Sequence, residues 1–109
     1  MKLVVSVVHQ RDRGRLSEEL IGAGFKFSIL PSTGGFLGES NALFLVGVDE
    51  EDVPTLLKVI ETNCKSREQV MNVPVLDSGP VGGMLNSPMT VPVGGAVVWV
   101  LPVDQFVHF

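Results

Sequence analysis

Apolar positions along the chain fall into runs whose internal spacing separates strands from helices. Leu3-Val4-Val5-Ser6-Val7-Val8 is nearly continuous and β-branched, the pattern of a strand buried on both faces. Leu16, Leu20, Ala23 and Gly24 then recur at threes and fours, which predicts an amphipathic helix closed by Gly22 and Gly24. Phe25–Pro31 alternates, with Phe25, Phe27 and Ile29 on one face and Lys26, Ser28 and Leu30 on the other. Pro31 cannot donate a ladder hydrogen bond, so this strand frays or turns to an edge there. Ala42–Val48 is a third strand. Val53, Leu56, Leu57 and Ile60 predict a second helix, opening near Asp52 because Pro54 is tolerated only in a first turn.

Past Asn63 and Cys64 the pattern weakens. Arg67–Pro74 reads as a short strand. Val75–Val91 has no periodicity and carries several glycines and prolines, so it is expected to be a long loop, mobile or ordered by a ligand. Val97–Leu101 is the last strand, ended by Pro102, and the apolar tail to Phe109 is expected to be docked. Strand, helix, strand, strand, helix, strand is a doubled βαβ pattern. It predicts one α+β domain over residues 1–109, a ferredoxin-like βαββαβ sandwich with both helices on one sheet face. The other face would be apolar and would call for a partner subunit.

One polar interruption stands out. Ser32-Thr33-Gly34-Gly35-Phe36-Leu37, running on to Asn41, lies between two strands that hold it up as a loop. Paired glycines let a ligand approach bare backbone N–H groups, Phe36 offers a stacking face, and the Asn41 amide can donate and accept. The same residues also suit a plain glycine-rich hairpin connection.

Composition narrows the function. At 45% hydrophobic and 18% charged residues, with a mean hydropathy of +0.35, the chain is more apolar than an ordinary soluble domain. Surplus apolar surface on 109 residues points to self-association. A net charge of −4, with no basic cluster beyond Arg11–Arg15, argues against DNA or RNA as a partner. A single cysteine, no signal-peptide pattern and no apolar run of membrane-spanning length predict a cytoplasmic protein.

Catalytic and metal-binding patterns are missing. No Cys/His spacing suits zinc, and neither a nucleophile elbow nor a P-loop occurs. Asp49-Glu50-Glu51-Asp52 suits the electropositive start of a helix better than a metal. Cys64 has no evident base beside it and reads as a small apolar filler. His9 and His108 lie at opposite ends of the chain. The expectation is a non-enzymatic protein without a cofactor.

The glycine loop, Asn41, Gly47-Val48, Arg67-Glu68-Gln69, Val93-Gly94-Gly95-Ala96 and the closing Val100-Leu101-Pro102-Val103-Asp104-Gln105-Phe106 together resemble the PII-like cyclic di-AMP receptor family, the DarA/PstA type, from end to end. The resemblance implies a homotrimer with one cyclic di-AMP in each cleft between subunits. It also implies signalling by rearrangement of the loop after the second strand and the long loop after the second helix. A downstream protein would read that change. Gly35, Phe36 and Leu37 would pack against and hydrogen-bond one adenine, Asn41 and Gly47 would read the other base, and Trp99 would line the pocket. Lys26 and Ser28 stand where relatives often have arginine and threonine near the phosphates. Lysine keeps the charge without the bidentate fork, and serine keeps the hydroxyl. His108 replaces a frequent glutamine, and Glu39 and Ser40 replace a more basic or glycine-containing stretch. Two alternatives stay open: a PII-like trimer sensing another adenine nucleotide or small molecule, and a nucleotide-independent protein-interaction module.

Overall fold

The computed structural model describes residues 1–34, 40–77 and 83–109, with backbone alone for 71–77 and 83–87. Four strands form the main sheet: β1 (Lys2–His9), β2 (Phe27–Ser32), β3 (Asn41–Val48) and β6 (Ala96–Pro102). Their order is β2-β3-β1-β6 and every neighbouring pair is antiparallel. Two helices, α1 (Arg13–Gly22) and α2 (Val53–Cys64), connect β1 to β2 and follow β3, each entered through a 3₁₀ turn (Gln10–Asp12 and Glu50–Asp52). This is the ferredoxin-like arrangement expected from the doubled βαβ pattern.

Alternation along the strands sorts their residues onto two faces. On one face the rows Phe27–Val46–Val4–Val100, Ile29–Phe44–Ser6–Val98 and Pro31–Ala42–Val8–Ala96 run across the four strands. Leu16 and Leu20 of α1 and Leu56 and Ile60 of α2 close over them as one core. The helices end as their sequences dictate. Gly24 takes φ +83°, and the Gly24 and Phe25 amides return to the carbonyls of Ile21 and Leu20, a Schellman closure. Pro54 lies in the first turn of α2. Neither Asp49 nor Asp52 caps with its side chain, so the acids act there through charge at the helix N-terminus. Arg15 Nε donates to Asn63 Oδ1 at 3.0 Å and ties α1 to α2.

Two expectations need correction. The stretch read as a structureless loop holds paired strands in its described part. β4 (Arg67–Asp77) and β5 (Gly83–Val93) form a separate two-stranded ribbon. Pro74 pairs with Asn86, Pro88 with Asn72 and Pro92 with Glu68. All three prolines therefore fall in one phase of the antiparallel alternation, where a residue's N–H points away from its partner and its loss costs the ladder nothing. The tail is the second correction. Val103 N–H bonds the Met1 carbonyl, but Phe106, Val107 and Phe109 beyond it are exposed instead of docked on their own protomer.

Candidate functional site

The sheet face turned away from the helices carries most of the described candidate residues. One row across it reads Ser28–Leu45–Val5–Trp99, a second Gly47–Leu3–Leu101, and a third Leu30–Leu43–Val7–Val97. Leu3, Val5, Leu43 and Leu45 are half-buried, while Leu30, Trp99 and Leu101 are exposed. Both helices occupy the opposite face, so no helix covers these apolar rows, and apart from the buried Val7 they stay half-buried or exposed.

Asn41 sits at one end of this face, opposite Ser32 on β2 and His9 on β1. It is 2% exposed, and its Nδ2 donates to the Gly34 carbonyl at 3.3 Å, across the mouth of the glycine loop. Its Oδ1 is buried with no partner among the described residues. A buried acceptor left open in this way is costly unless a donor arrives. Gly34 takes φ +110°, so the loop leaves β2 through a conformation that favours glycine. Gly35, Phe36 and Leu37 lie outside the described residues.

Lys26 and Gly47 lie at the other end of the strands and line one surface cleft of about 370 Å³ with Met1, Phe25, Asp49 and Asp52. Lys26 is exposed there, in a cleft whose lining includes two carboxylates. Along β3, Asn41 and Gly47 are six residues apart, roughly 20 Å in an extended strand. Trp99 is three strands from Ser28, roughly 14 Å at the usual inter-strand spacing. Ser28 and His108 are both exposed. The protomer thus displays the candidates on one face and at its two ends; it does not gather them into one pocket.

Comparison with known proteins gives that layout its meaning. A profile of the cyclic-di-AMP receptor family matches residues 1–109. The chain belongs to that family. It is also similar to a crystal structure of a functionally unknown protein from Pediococcus pentosaceus ATCC 25745. The two share 39% sequence identity with a TM-score of 0.79, over 99% of this chain and 96% of that one.

Cys64 is fully buried, and loss of hydration pushes its thiol up to about 12, with the nearby Asp12 carboxylate adding to the shift. Since only the thiolate attacks, Cys64 in the folded receptor should react with a thiol reagent about a thousandfold more slowly than in urea at pH 8. Equal rates in the two solvents would mean the helix end opens readily. No group of three or more His, Cys, Asp or Glu side chains suited to a metal occurs among the described residues. No helix there is long and apolar enough to cross a membrane.

Sequence reasoning missed two features of the receptor. The Gln10 amide bonds the Ser40 carbonyl at 3.2 Å, tying the exit of the glycine loop to the 3₁₀ turn. A bond between two backbone groups leaves no mark in the residue types. Asp12, 2% exposed, takes Arg67 Nη2 on Oδ1 at 3.0 Å across 55 positions. The lone acid in a basic stretch was its only trace.

Proposed function

We propose that this chain is a non-enzymatic signalling protein that binds cyclic di-AMP in clefts between the subunits of a cytoplasmic homotrimer. The full-length match to the cyclic-di-AMP receptor family carries the reading. The layout of the candidate residues supports it. Residues about 20 Å apart on one face serve a single small ligand when a second protomer brings its own set alongside. Covering the face would also bury Trp99 and Leu101, which are 38% and 43% exposed in the protomer.

In this reading Phe36 stacks on one adenine with Gly35 and Leu37 around it. The open Asn41 Oδ1 accepts from the exocyclic amine of the other base, and Gly47, brought alongside by the neighbouring protomer, lets that base approach the backbone. Lys26 and Ser28 meet the phosphates, while Trp99 and His108 complete the wall. Stacking is worth ~1–3 kcal/mol per base, so Phe36→Ala should weaken binding by about tenfold or more. The glycine loop and the β4–β5 ribbon change arrangement on binding, and a downstream protein reads the change.

Calorimetric titration with cyclic di-AMP, run beside ATP and cyclic di-GMP, tests the reading, with light scattering to count copies of the 11.7 kDa chain. Saturable binding at one dinucleotide per chain in a trimer is expected, weakened in Phe36→Ala and Asn41→Ala. A trimer that gives no heat up to millimolar dinucleotide overturns it. One observation favours a second reading, a PII-like trimer that senses another adenine nucleotide or small molecule. Asp49 and Asp52 share the cleft of Lys26 and oppose phosphates there, which favours a small molecule with less negative charge than the dinucleotide. Heat from adenosine with none from cyclic di-AMP would select it.

A further inference from the structure

The 3₁₀ turn Gln10–Asp12 touches the glycine loop with its first residue and the base of the β4–β5 ribbon with its last. At the loop end, the Gln10 amide holds the Ser40 carbonyl, and His9 pairs in register with Asn41. At the ribbon end, Arg67, the first residue of β4 and the partner of Val93, donates from Nη2 to Asp12 Oδ1 at 3.0 Å. The other arm of the guanidinium goes to the Lys65 carbonyl at 3.3 Å, so the fork is split and only one carboxylate oxygen is filled. Asp12 Oδ2 is buried without a partner among the described residues. Gly94, at φ +76°, lies against it: a Cβ there would stand 3.0 Å from Oδ2 and 2.5 Å from Arg67 Nη1.

We infer that the Asp12–Arg67 pair is a latch through which the turn at Gln10–Asp12 couples the glycine loop to the β4–β5 ribbon. The inference rests on the sensor reading for the ligand alone. Its mechanics belong to the ligand-free protein. The Asp12 side chain is 3% exposed and the Arg67 side chain 45% exposed. Arg67 can therefore leave for water, whereas Asp12 cannot follow without moving the turn. A buried carboxylate is tolerable only while it is paired, so the position of the turn and the docking of the ribbon base depend on each other. A shift of Ser40 moves Gln10, Gln10 moves Asp12, and the ribbon base is gripped or released. Coupling of this kind is reciprocal. Loosening the ribbon must therefore loosen the loop exit.

That reciprocity is the test. Amide exchange is followed residue by residue by NMR on the full chain without ligand, in the parent and in Arg67→Met. The Gln10 amide, reached from the substitution through the Arg67–Asp12 bond and the turn, is expected to exchange roughly tenfold faster, the equivalent of one charge-assisted hydrogen bond, along with the amides of the ribbon base. Amides inside α2 should keep the parent's rates. Faster exchange at the ribbon base with Gln10 unchanged overturns the coupling and leaves a local clamp. If Arg67→Met fails to fold, Asp12→Asn is read in the same way, since it keeps the shape and removes the charge. With cyclic di-AMP added, the parent's ribbon-base amides should shift and those of Arg67→Met should not, while both bind. A parent that binds no dinucleotide sinks the sensor reading, and the ligand-free comparison still decides the latch.

Discussion

Phe44→Ala is expected to remove about 3–5 kcal/mol of stability, the range for emptying a buried aromatic site. Phe44 is fully buried in the middle of β3, in the row Ile29–Phe44–Ser6–Val98. Its ring lies 5.6 Å from that of Phe27 at a tilt of 38°. It belongs to the core that Leu16, Leu20, Leu56 and Ile60 complete from the helices. Its row neighbour Ser6 has a buried Oγ without a partner among the described residues, so a cavity beside it would have one poorly satisfied wall. A domain of this size holds ~5–15 kcal/mol in total, so the loss is a large fraction of it. In urea unfolding the midpoint should fall sharply with little change in slope. Leu45→Ala, one residue along on the other face, should cost less in a dilute protomer and more as protein concentration rises if the proposed trimer lays a second subunit over that face. A loss below about 1 kcal/mol for Phe44→Ala would mean that this core collapses around small side chains.

The same alternation explains how much of the molecule could be read from its residues. Strands with one buried face and helices with one apolar stripe announce themselves, because burial imposes a period on the residue types. The two helices were legible for that reason, whereas β1 and β3 showed as continuous apolar runs of which the helices cover one face only. Of the β4–β5 ribbon, only the start of β4 was legible, read as the short strand Arg67–Pro74. A two-stranded ribbon standing off the core has no buried face to impose a period. What restrains it is the phase of Pro74, Pro88 and Pro92, visible only after the strands are put in register. The tail misled in the opposite way. Phe106, Val107 and Phe109 do look like docking residues, but their own protomer offers them no seat. The candidate site divides likewise. Asn41 was picked for an amide that could both donate and accept; folding uses the donor on Gly34 and leaves the acceptor. The spread of Lys26, Ser28, Gly47 and Trp99 over one sheet face follows from strand order, which no local pattern encodes. The family resemblance alone supplied that grouping.

Gly94→Ala is the second large effect, expected to cost about 2–4 kcal/mol although it adds one methyl group. At φ +76° any side chain is strained by ~1–2 kcal/mol before it meets a neighbour. The new Cβ would then stand 2.5 Å from Arg67 Nη1 and 3.2 Å from the Lys65 carbonyl oxygen. The carbonyl has only a few tenths of an ångström to yield, whereas the guanidinium can swing out to water. The relaxed variant is therefore one in which Arg67 has left and the buried Asp12 side chain has lost its partner. Loss of that partner is the larger part of the expected cost. Thermal unfolding should show it against Gly14→Ala, where a Cβ meets open space within α1 and the change should be neutral or stabilising by up to ~1 kcal/mol. Adding Arg67→Met to Gly94→Ala then separates the two contributions, since the double variant has no guanidinium to displace. If the costs of the single changes overlap, the double variant will lose less than their sum, and the shared part is the energy of the Asp12–Arg67 pair. If they simply add, Gly94 acts through its backbone alone and the new methyl does not displace the guanidinium.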